Sequence, residues 1–451
     1  MLLFIILSYT LPLDSPIMYH IEYLQLRGLI DIPSVRPYEL DWIVPQIDDI
    51  LISEVTLNEV DKKILSFFHP LLIKDPDFSY LVHVNGEYQT NPELYYGLLD
   101  ERFGGTLTNS ITYAHGMSIR RANELDSLGP RPWKDFQAYL HEGLIRFNIN
   151  KIQFNIGRRN YLLGFADENS LLLSPDKQGY DGFYLFMPSR YYEFYTIFTI
   201  LDAQKNRYLS VHRIGLDLKR FLKLGFSEAI LFTGSLQPIY LNFLLPYYLA
   251  QWGTDRNDNI MWSFDIQINL FNSLMYAEFL IDDYMYEDDP YPDKLAFSLG
   301  LKSLLFAKFL VKLNYTAVDK WVYTHERRVN TYERNGSPLG FPLGNDVDQL
   351  NFSCVFMNEY GLYPRFTLQY TRKGEGSISV PYEQEGGSWT PPFPSGIVEK
   401  KLDITLGLQC VLRYKFYIGI DVGQRYWKNY DHISGDDRDE MLFTISMKMI
   451  I

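Results

Sequence analysis

The feature that most constrains this chain is an alternation of apolar and polar residues, which recurs from about residue 78 to the end. In one segment Leu295, Phe297, Leu299 and Leu301 alternate with Lys294, Ala296, Ser298 and Gly300. Successive side chains of a β-strand point to opposite faces, so this period of two predicts strands with one apolar and one polar face. Soluble antiparallel sandwiches show the same pattern strand by strand.

The same alternation returns in three other segments: 260–270, 402–422 and 441–451. The run 402–422 is longer than the ~9–11 residues of a membrane-crossing strand, so it predicts two strands with a tight turn near Arg413. So many amphipathic strands in one continuous region favour a barrel, because a soluble sandwich of that size would divide into domains.

Composition supports a barrel that crosses a membrane. Aromatic residues make up 16% of the 451 residues, yet the mean hydropathy is only −0.15. Aromatic girdles around a polar lumen give this combination. Stretches rich in Gly, Pro, Asp and Tyr separate the strands, and the largest, 283–293, 327–348 and 374–398, are predicted to be the long outer loops.

Several other classes are disfavoured. A membrane-spanning helix needs ~20 apolar residues, and the best candidate, 295–313, contains Lys302, Lys308 and Lys312. A net charge of −13 argues against nucleic acid as a partner. The two cysteines, Cys354 and Cys410, are either a disulfide between neighbouring strands or two free thiols in the barrel wall.

The first fourteen residues are apolar at the start and resemble the core of a signal peptide. A basic region and a small-x-small cleavage site are both missing from residues 1–14. A start codon placed too late would explain the first gap. The alternative is a short buried strand.

Residues 15–77 follow the helical period instead, and we expect a small bundle. In the first helix Ser15 can cap, Pro16 takes the first helical position and Gly28 ends the helix. Three short helices bury little surface by themselves, so we expect the bundle to dock on another part of the chain.

Two further helices are predicted in this bundle. One begins at Pro37 and is kinked or ends near Pro45. The other opens with the capping box Thr56-Leu-Asn-Glu59, in which the hydroxyl and the carboxylate each satisfy a free backbone N–H. Its apolar face is Val60, Ile64, Phe67 and Phe68.

Twelve short motifs within residues 157–346 can be read in order along the strand region. They are Gly157-Arg158, Arg207-Tyr-Leu-Ser-Val-His212-Arg213, Gly225-Phe-Ser-Glu228, Tyr240-Leu-Asn242, Gln251-Trp252, Asn259-Ile-Met-Trp262-Ser-Phe-Asp265, Ala277-Glu278-Phe-Leu-Ile-Asp282-Asp283, Tyr315-Thr316, Trp321-Val-Tyr-Thr-His325, Asn335-Gly336, Leu339-Gly340 and Leu343-Gly344-Asn-Asp346. Their order and spacing resemble the Wzi-like capsule-assembly outer-membrane proteins. The helical N-terminus is similar to the periplasmic bundle of that family.

The resemblance implies an all-β transmembrane barrel of about 18 antiparallel strands over residues 78–451, in the bacterial outer membrane, with the helical bundle 15–77 in the periplasm. It implies lectin-like binding or organisation of surface (capsular) polysaccharide, with that polysaccharide and outer-membrane lipid as partners. A porin is the second interpretation and a structural secretion accessory the third. Two positions depart from the family pattern: Tyr161-Leu-Leu-Gly164-Phe165 stands where an aromatic and Gly-Pro-Gly are expected, and Ile451 stands where an aromatic is usual.

The candidate site residues are polar or aromatic residues within these motifs. They are Arg158, Arg213, His212, Glu228, Asp265, Glu278, Asp282, Trp262, Trp321 and His325. Polar strand faces of a barrel point into the lumen, where a charge must be hydrated or paired. These groups therefore either form hydrogen bonds with sugar hydroxyls or form a network of salt bridges and hydrogen bonds that stabilises a plugged lumen. We expect Arg158 and Arg213 to face the lumen near Glu228, Glu278 or Asp282, where a guanidinium fork suits an acidic sugar.

Aromatic loop residues offer a second kind of sugar contact. Tyr284, Tyr286, Tyr291 and Trp389 present ring faces, although membrane-interface girdling is the alternative. Adjacent carboxylates such as Asp282-Asp283 face opposite sides of a strand and cannot share a metal. No nucleophile elbow, phosphate loop or dinucleotide motif occurs, so we expect no enzyme activity, metal or cofactor.

Overall fold

In a computed structural model of the protein, eighteen antiparallel strands pair with their neighbours and close into a barrel. The first strand pairs with the last, with Val82 opposite Met449 and Gly86 opposite Ile445. The strands are Phe78–Gly86, Gly97–Thr108, Ile111–Arg121, Phe136–Ile149, Ile152–Arg159, Tyr180–Pro188, Tyr192–Asp202, Arg207–Leu218, Leu222–Thr233, Asn259–Leu270, Ser273–Asp283, Lys294–Leu305, Phe309–Val318, Val347–Phe356, Leu362–Lys373, Glu399–Leu412, Phe416–Lys428 and Arg438–Met449. This confirms the predicted fold class.

The structure describes most of the chain. The described residues are 17–38, 40–53, 55–72, 78–86, 97–108, 111–121, 134, 136–149, 152–167, 169–176, 178–189, 191–218, 221–284, 291–412 and 416–449. In the strands between residues 78 and 121 the structure describes the backbone. The signal-like segment 1–14, Ser15, Pro16, Tyr286 and Ile451 lie outside the described residues, so the predictions for them stay predictions.

The alternation of the sequence separates an outward face from a lumen face. In the strand Asn259–Leu270, Phe264 is 44% exposed while its neighbours Ser263 and Asp265 are buried. The register keeps each face continuous, because Phe264 lies opposite Phe226 on one side and opposite Phe279 on the other. The outward rows therefore form the apolar band that a transmembrane barrel presents to lipid.

The two ends of the barrel differ in the length of their connections. At one end, here called the short-turn end, the strands join through tight links such as Leu270 to Ser273. At the other, the long-loop end, the longest connections run from Thr233 to Asn259, from Val318 to Val347 and from Lys373 to Glu399. The predicted loops 327–348 and 374–398 belong to the long-loop end, and so do the described residues 283, 284 and 291–293 of the predicted loop 283–293.

The run 402–422 forms two strands, as predicted. One ends at Leu412 and the next begins at Phe416. Both cysteines are free thiols. The strand Leu362–Lys373 lies between the strands that carry Cys354 and Cys410, which explains why the alternative of a disulfide fails.

Within the described residues, three α-helices precede the barrel, and further short helices lie in loops. The N-terminal helices are Met18–Leu26, Leu40–Ile52 and Glu59–Leu72, and the loop helices are Pro238–Leu241, Tyr247–Thr254, Arg328–Asn330, Tyr382–Glu385 and Tyr430–His432. Gly28 follows the first helix with a φ of +67°, a left-handed conformation that glycine adopts without strain and that ends the helix as predicted. No helix among the described residues has the length and apolar content to cross a bilayer.

The second helix starts three residues later than predicted, and it does not end at Pro45. The helix begins at Leu40 rather than Pro37 and continues through Pro45 to Ile52. A proline inside a helix costs ~3 kcal/mol. Burial of Ile43, Ile47 and Ile50, at ~1.5–3 kcal/mol for each side chain, outweighs that cost.

The predicted capping box of the third helix is also displaced. Asn58 caps this helix: its Oδ1 accepts from the Asp61 N–H at 2.8 Å, and the Asn58 N–H donates to Asp61 Oδ2 at 2.9 Å. This is the reciprocal arrangement expected for Thr56 and Glu59, moved two residues along the chain. Asp61 is preferred because Arg27 also donates to it, at 2.9 Å from its Nη2, so that one carboxylate caps one helix and joins it to another.

The N-terminal helices dock at the short-turn end of the barrel. Ile21, Ile64 and Phe68 are fully buried and belong to one apolar cluster with the wall residues Leu304 and Tyr363. The predicted apolar face of the third helix is the face that is buried. Docking therefore supplies the apolar burial that three short helices lack by themselves.

Candidate functional site

The lumen is partly filled by the protein's own loops. After the strand Ile152–Arg159 the chain folds into the barrel, where Leu171 and Leu172 are buried. The Tyr323 hydroxyl donates to the Leu171 carbonyl at 2.6 Å, and the Tyr332 hydroxyl donates to that of Leu172 at 2.9 Å. Two loops from the long-loop end are therefore joined to each other by hydrogen bonds inside the lumen.

Arg213 and Asp265 form a buried ion pair on the lumen face. Two parallel hydrogen bonds of 2.5 and 2.7 Å join the guanidinium to the carboxylate, and each side chain is only 1% exposed. Arg213 Nε also donates to Ser34 Oγ at 2.9 Å. Gly225 makes room for the pair, because a Cβ at that position would lie 2.2 Å from the guanidinium.

Glu278 and Asp282 also face the lumen, as predicted, and each holds a loop. Glu278 accepts from the Ser170 hydroxyl at 3.0 Å and from the Leu171 N–H at 3.1 Å. Asp282 accepts from the Tyr323 N–H at 2.5 Å. Carboxylates shielded from water need such donors, so the buried Glu278 and the half-buried Asp282 fasten the inward loops to the wall. Arg213 forms its ion pair with Asp265 instead of with either of these two carboxylates.

The expectation that His212 faces the lumen is wrong, and Glu228 lies on the same outward face. In the strand Arg207–Leu218 the exposed residues Ile214 and Leu216 share a face with His212, because side chains alternate. Register places Glu228 between His212 and Trp262. All three therefore lie on the outer surface of the barrel, and Arg213, one residue along, lies inside.

These three outward residues form one cluster. Glu228 accepts from His212 Nε2 at 3.1 Å and from Trp262 Nε1 at 3.0 Å. It also accepts from the backbone N–H groups of Tyr247 and Tyr248 at 2.7 and 2.9 Å. Glu228 therefore anchors the first turn of the helix Tyr247–Thr254, which covers the cluster.

The expectation that Arg158 faces the lumen is wrong for the same reason. Arg158 shares a face with the exposed Ile156, whereas the buried Arg159 points inward. It forms a bidentate pair with Asp181, with both bonds at 2.5 Å, and the two side chains are 27% and 43% exposed. Arg158 is therefore separated by the barrel wall from Arg213.

Trp321 and His325 lie at the long-loop end. Trp321 is buried, with Lys320 over its ring at 4.7 Å and Tyr382 edge-on at 5.4 Å. Burial, reinforced by the charge of Lys294, lowers the pKa of His325 to about 4. The neutral ring accepts a hydrogen bond from the Arg327 N–H through Nδ1, at 3.0 Å.

A charge network at the short-turn end was not predicted. Lys302 and Lys312 lie directly opposite each other on neighbouring strands, where like charges repel. Glu22 of the first helix and Asp167 of the inward loop each pair with both lysines, with Lys302–Glu22 and Lys312–Asp167 at 3.0 Å. Desolvation raises the pKa of Asp167, but the two lysines lower it by a larger amount. The pKa of Asp167 therefore lies well below its ordinary value.

A polar cavity of about 370 Å³ lies beside this network in the lumen. Lys312 lines it, together with two further ion pairs: Arg365–Asp421 at 2.6 Å and Arg425–Asp403 at 2.7 Å. A cavity of this size lined by charges of both signs suits small polar solutes. Within the described residues, no group of three or more His, Cys, Asp or Glu side chains is placed to hold a metal ion.

A closed eighteen-stranded barrel with an outward apolar band has the architecture of an outer-membrane β-barrel. Among solved structures, the chain is similar to Wzi of Escherichia coli, an outer-membrane protein involved in group 1 capsule assembly and described as a carbohydrate-binding β-barrel. The TM-score is 0.68 at 14% identity, and the match covers 97% of this chain and 98% of that chain.

Matches to other barrels are weaker. OccD1 (OprD) gives a TM-score of 0.45 at 13% identity, covering 82% of this chain and 94% of that one. OccAB4 of Acinetobacter baumannii gives 0.44 at 11% identity, covering 82% and 96%. No family model and no curated protein matches the sequence. At these identities the likeness to Wzi concerns the fold.

Proposed function

We propose that the protein is an outer-membrane barrel that binds surface polysaccharide at its long-loop end. The observation that carries this proposal is the occupied lumen. Leu171, Leu172, Tyr323 and Tyr332 are buried inside the barrel, and the two tyrosine hydroxyls donate hydrogen bonds to the backbone carbonyls of Leu171 and Leu172. A lumen packed with loops obstructs transport and gives the loops a fixed shape. The fold shared with a carbohydrate-binding barrel adds support.

The binding surface in this proposal is a group of aromatic rings in the loops. Tyr291 is 40% exposed and lies 6.0 Å from Tyr382, which in turn contacts Trp321. Trp389, in the same loop as Tyr382, is 53% exposed. Exposed Tyr and Trp rings offer apolar faces with a polar edge, which match the apolar face and the hydroxyl groups of a sugar ring.

The predicted basic site for an acidic sugar is not part of this proposal. Arg213 is enclosed and paired with Asp265, and Arg158 lies on the outer surface paired with Asp181. We therefore favour recognition by stacking and hydrogen bonding over ion pairing with a carboxylated sugar.

A glycan array with the detergent-solubilised barrel tests the proposal. We expect binding by the unmodified protein and about tenfold weaker binding by Tyr291→Ala and Trp389→Ala, roughly 1.4 kcal/mol each. Tyr360→Ala is the matched control, because Tyr360 is 76% exposed but lies in a turn at the opposite end. Equal losses in all three variants, or no binding by the unmodified protein, would contradict the proposal.

The polar cavity favours a solute channel as the second candidate function. Lys312, Arg365 and Asp421 line it, and charged lumen residues set solute preference in porins. Single-channel conductance in planar bilayers separates the two candidates. Large, stable conductance by the unmodified protein, together with an empty glycan array, would establish the channel and reject polysaccharide binding.

A further inference from the structure

The connection between the strands Leu222–Thr233 and Asn259–Leu270 folds back over the outside of the barrel. We call residues 234–258 the flap. Tyr240 and Tyr247 of the flap pack with Ile230 and Phe232 of the wall. Those wall residues share the outward face with Glu228, so the flap occupies a position where a barrel strand would ordinarily contact lipid.

Glu228 fixes the flap in place. A carboxylate on the lipid face of a barrel is costly unless its hydrogen bonds are satisfied. Four donors satisfy this one, and two of them are backbone N–H groups of the flap helix. Because Tyr247 and Tyr248 supply those donors, opening the flap would leave an outward carboxylate with fewer partners.

The outer side of the flap is apolar. Leu244, Leu249 and Trp252 are 75%, 58% and 70% exposed. The flap covers the strand from Glu228 onward. Glu228 lies about 20 Å along the strand from Leu222, at a rise of ~3.4 Å per residue. A strand crosses the bilayer in ~9–11 residues, so these exposed side chains lie towards the long-loop side of the apolar band.

Directly beside the flap, the lipid face contains an apolar groove of about 530 Å³. Its walls are Ile214, Leu216, Leu224, Phe226, Phe264, Ile266 and Phe279, and Ala277 contributes a short side chain. The flap borders the groove, because Phe243 contacts Phe194 at 5.5 Å and Phe194 lies opposite Ile214 in the sheet. The groove is continuous with the lipid-facing band.

We propose that the flap and groove together form a binding site for one acyl chain of a membrane lipid. The acyl chain lies between the row of side chains that starts at Ile214 and the row that starts at Leu216. Leu244, Leu249 and Trp252 of the flap lie on the long-loop side of it. The lining is apolar and already faces the bilayer, which makes a hydrocarbon chain the occupant that its chemistry fits. The proposal does not depend on whether the barrel binds glycan or conducts solutes.

Native mass spectrometry of the folded barrel, incubated in detergent with palmitoyl-oleoyl phosphatidylethanolamine, tests the groove. We expect the unmodified protein to retain one lipid. Ala277→Phe fills the groove, and exclusion of about two methylene groups gives roughly tenfold weaker retention. Leu406→Phe is the control, since Leu406 is 65% exposed on the outward face of a different strand and should retain lipid like the unmodified protein. Equal retention in Ala277→Phe, or none in the unmodified protein, would overturn the proposal.

Fluorescence tests the flap in vesicles of the same lipid carrying bromine on the acyl chains. We expect the brominated lipid to quench the fluorescence of Trp252. That fluorescence is obtained by subtracting the spectrum of Trp252→Tyr from the spectrum of the unmodified protein. The contribution of Trp389, obtained in the same way, should be quenched much less, because Trp389 lies in a long loop. Absence of Trp252 quenching would overturn the proposal. So would a shift from dimer to monomer in Ala277→Phe on sedimentation, because the occupant would then be a second copy of the chain.

Discussion

Arg213 and Asp265 are a brace between the barrel wall and the N-terminal segment at Ser34. Removing one member of a buried ion pair leaves the other charge without a partner and costs ~3–5 kcal/mol. We therefore expect Arg213→Gln to lower the temperature at which the folded barrel unfolds, measured by heat modifiability in gels. Glycan binding should fall only in proportion to the folded protein that is lost.

Two variants control this prediction. Arg213→Met combined with Asp265→Leu should recover most of the stability, because apolar residues often replace a buried pair without loss. Arg158→Gln should cost less than ~1 kcal/mol, since its pair with Asp181 is partly exposed. If Arg213→Gln abolished glycan binding at an unchanged unfolding temperature, Arg213 would be a binding residue instead of a brace.

At the scale of elements, the interface between the first helix and the wall contains an uncharged histidine. His20 is fully buried, stacks on Phe67 at a centroid distance of 4.7 Å and meets the edge of Tyr363 at 5.5 Å. Burial lowers the pKa of His20 to about 3. A detached helix takes up a proton near pH ~6.5 that the docked helix excludes, so docking weakens as the pH falls from about 6.5 towards 3.

We expect this linkage to cost about 2 kcal/mol of docking free energy at about pH 5 relative to pH 7. Limited proteolysis of the helical group in the purified barrel measures it, with cleavage faster at the lower pH. His20→Phe should remove the pH effect, whereas His432→Phe, at the long-loop end, should keep it. A pH effect that persists in His20→Phe would assign it to another group.

The strands were predictable because the signal is local. Alternation identified the outward band and the two strands within 402–422. The same alternation places His212 and Arg213 on opposite faces, and likewise Arg158 and Arg159. Applied strand by strand, it predicts that His212 and Arg158 face outward. The flap over Glu228 and the partners of Lys302 could not be predicted, because Tyr247 and Glu22 come from elements whose position only the tertiary fold determines.

For the whole molecule, the difference between the two ends predicts its orientation in the membrane. Outer-membrane barrels have short turns on the periplasmic side and long loops outside, so the helical group at the short-turn end should be periplasmic.

Trp389 and Ile52, 53% and 85% exposed, report on opposite ends when each is changed to Cys in a background with Cys354→Ala and Cys410→Ala. A membrane-impermeant maleimide added to intact cells should label Trp389→Cys, and should label Ile52→Cys only after the outer membrane is permeabilised. Both thiols should be labelled in a detergent extract, which shows that each is reactive once the membrane barrier is removed. Labelling of Ile52→Cys alone in intact cells would reverse the orientation and move the proposed glycan surface to the periplasm.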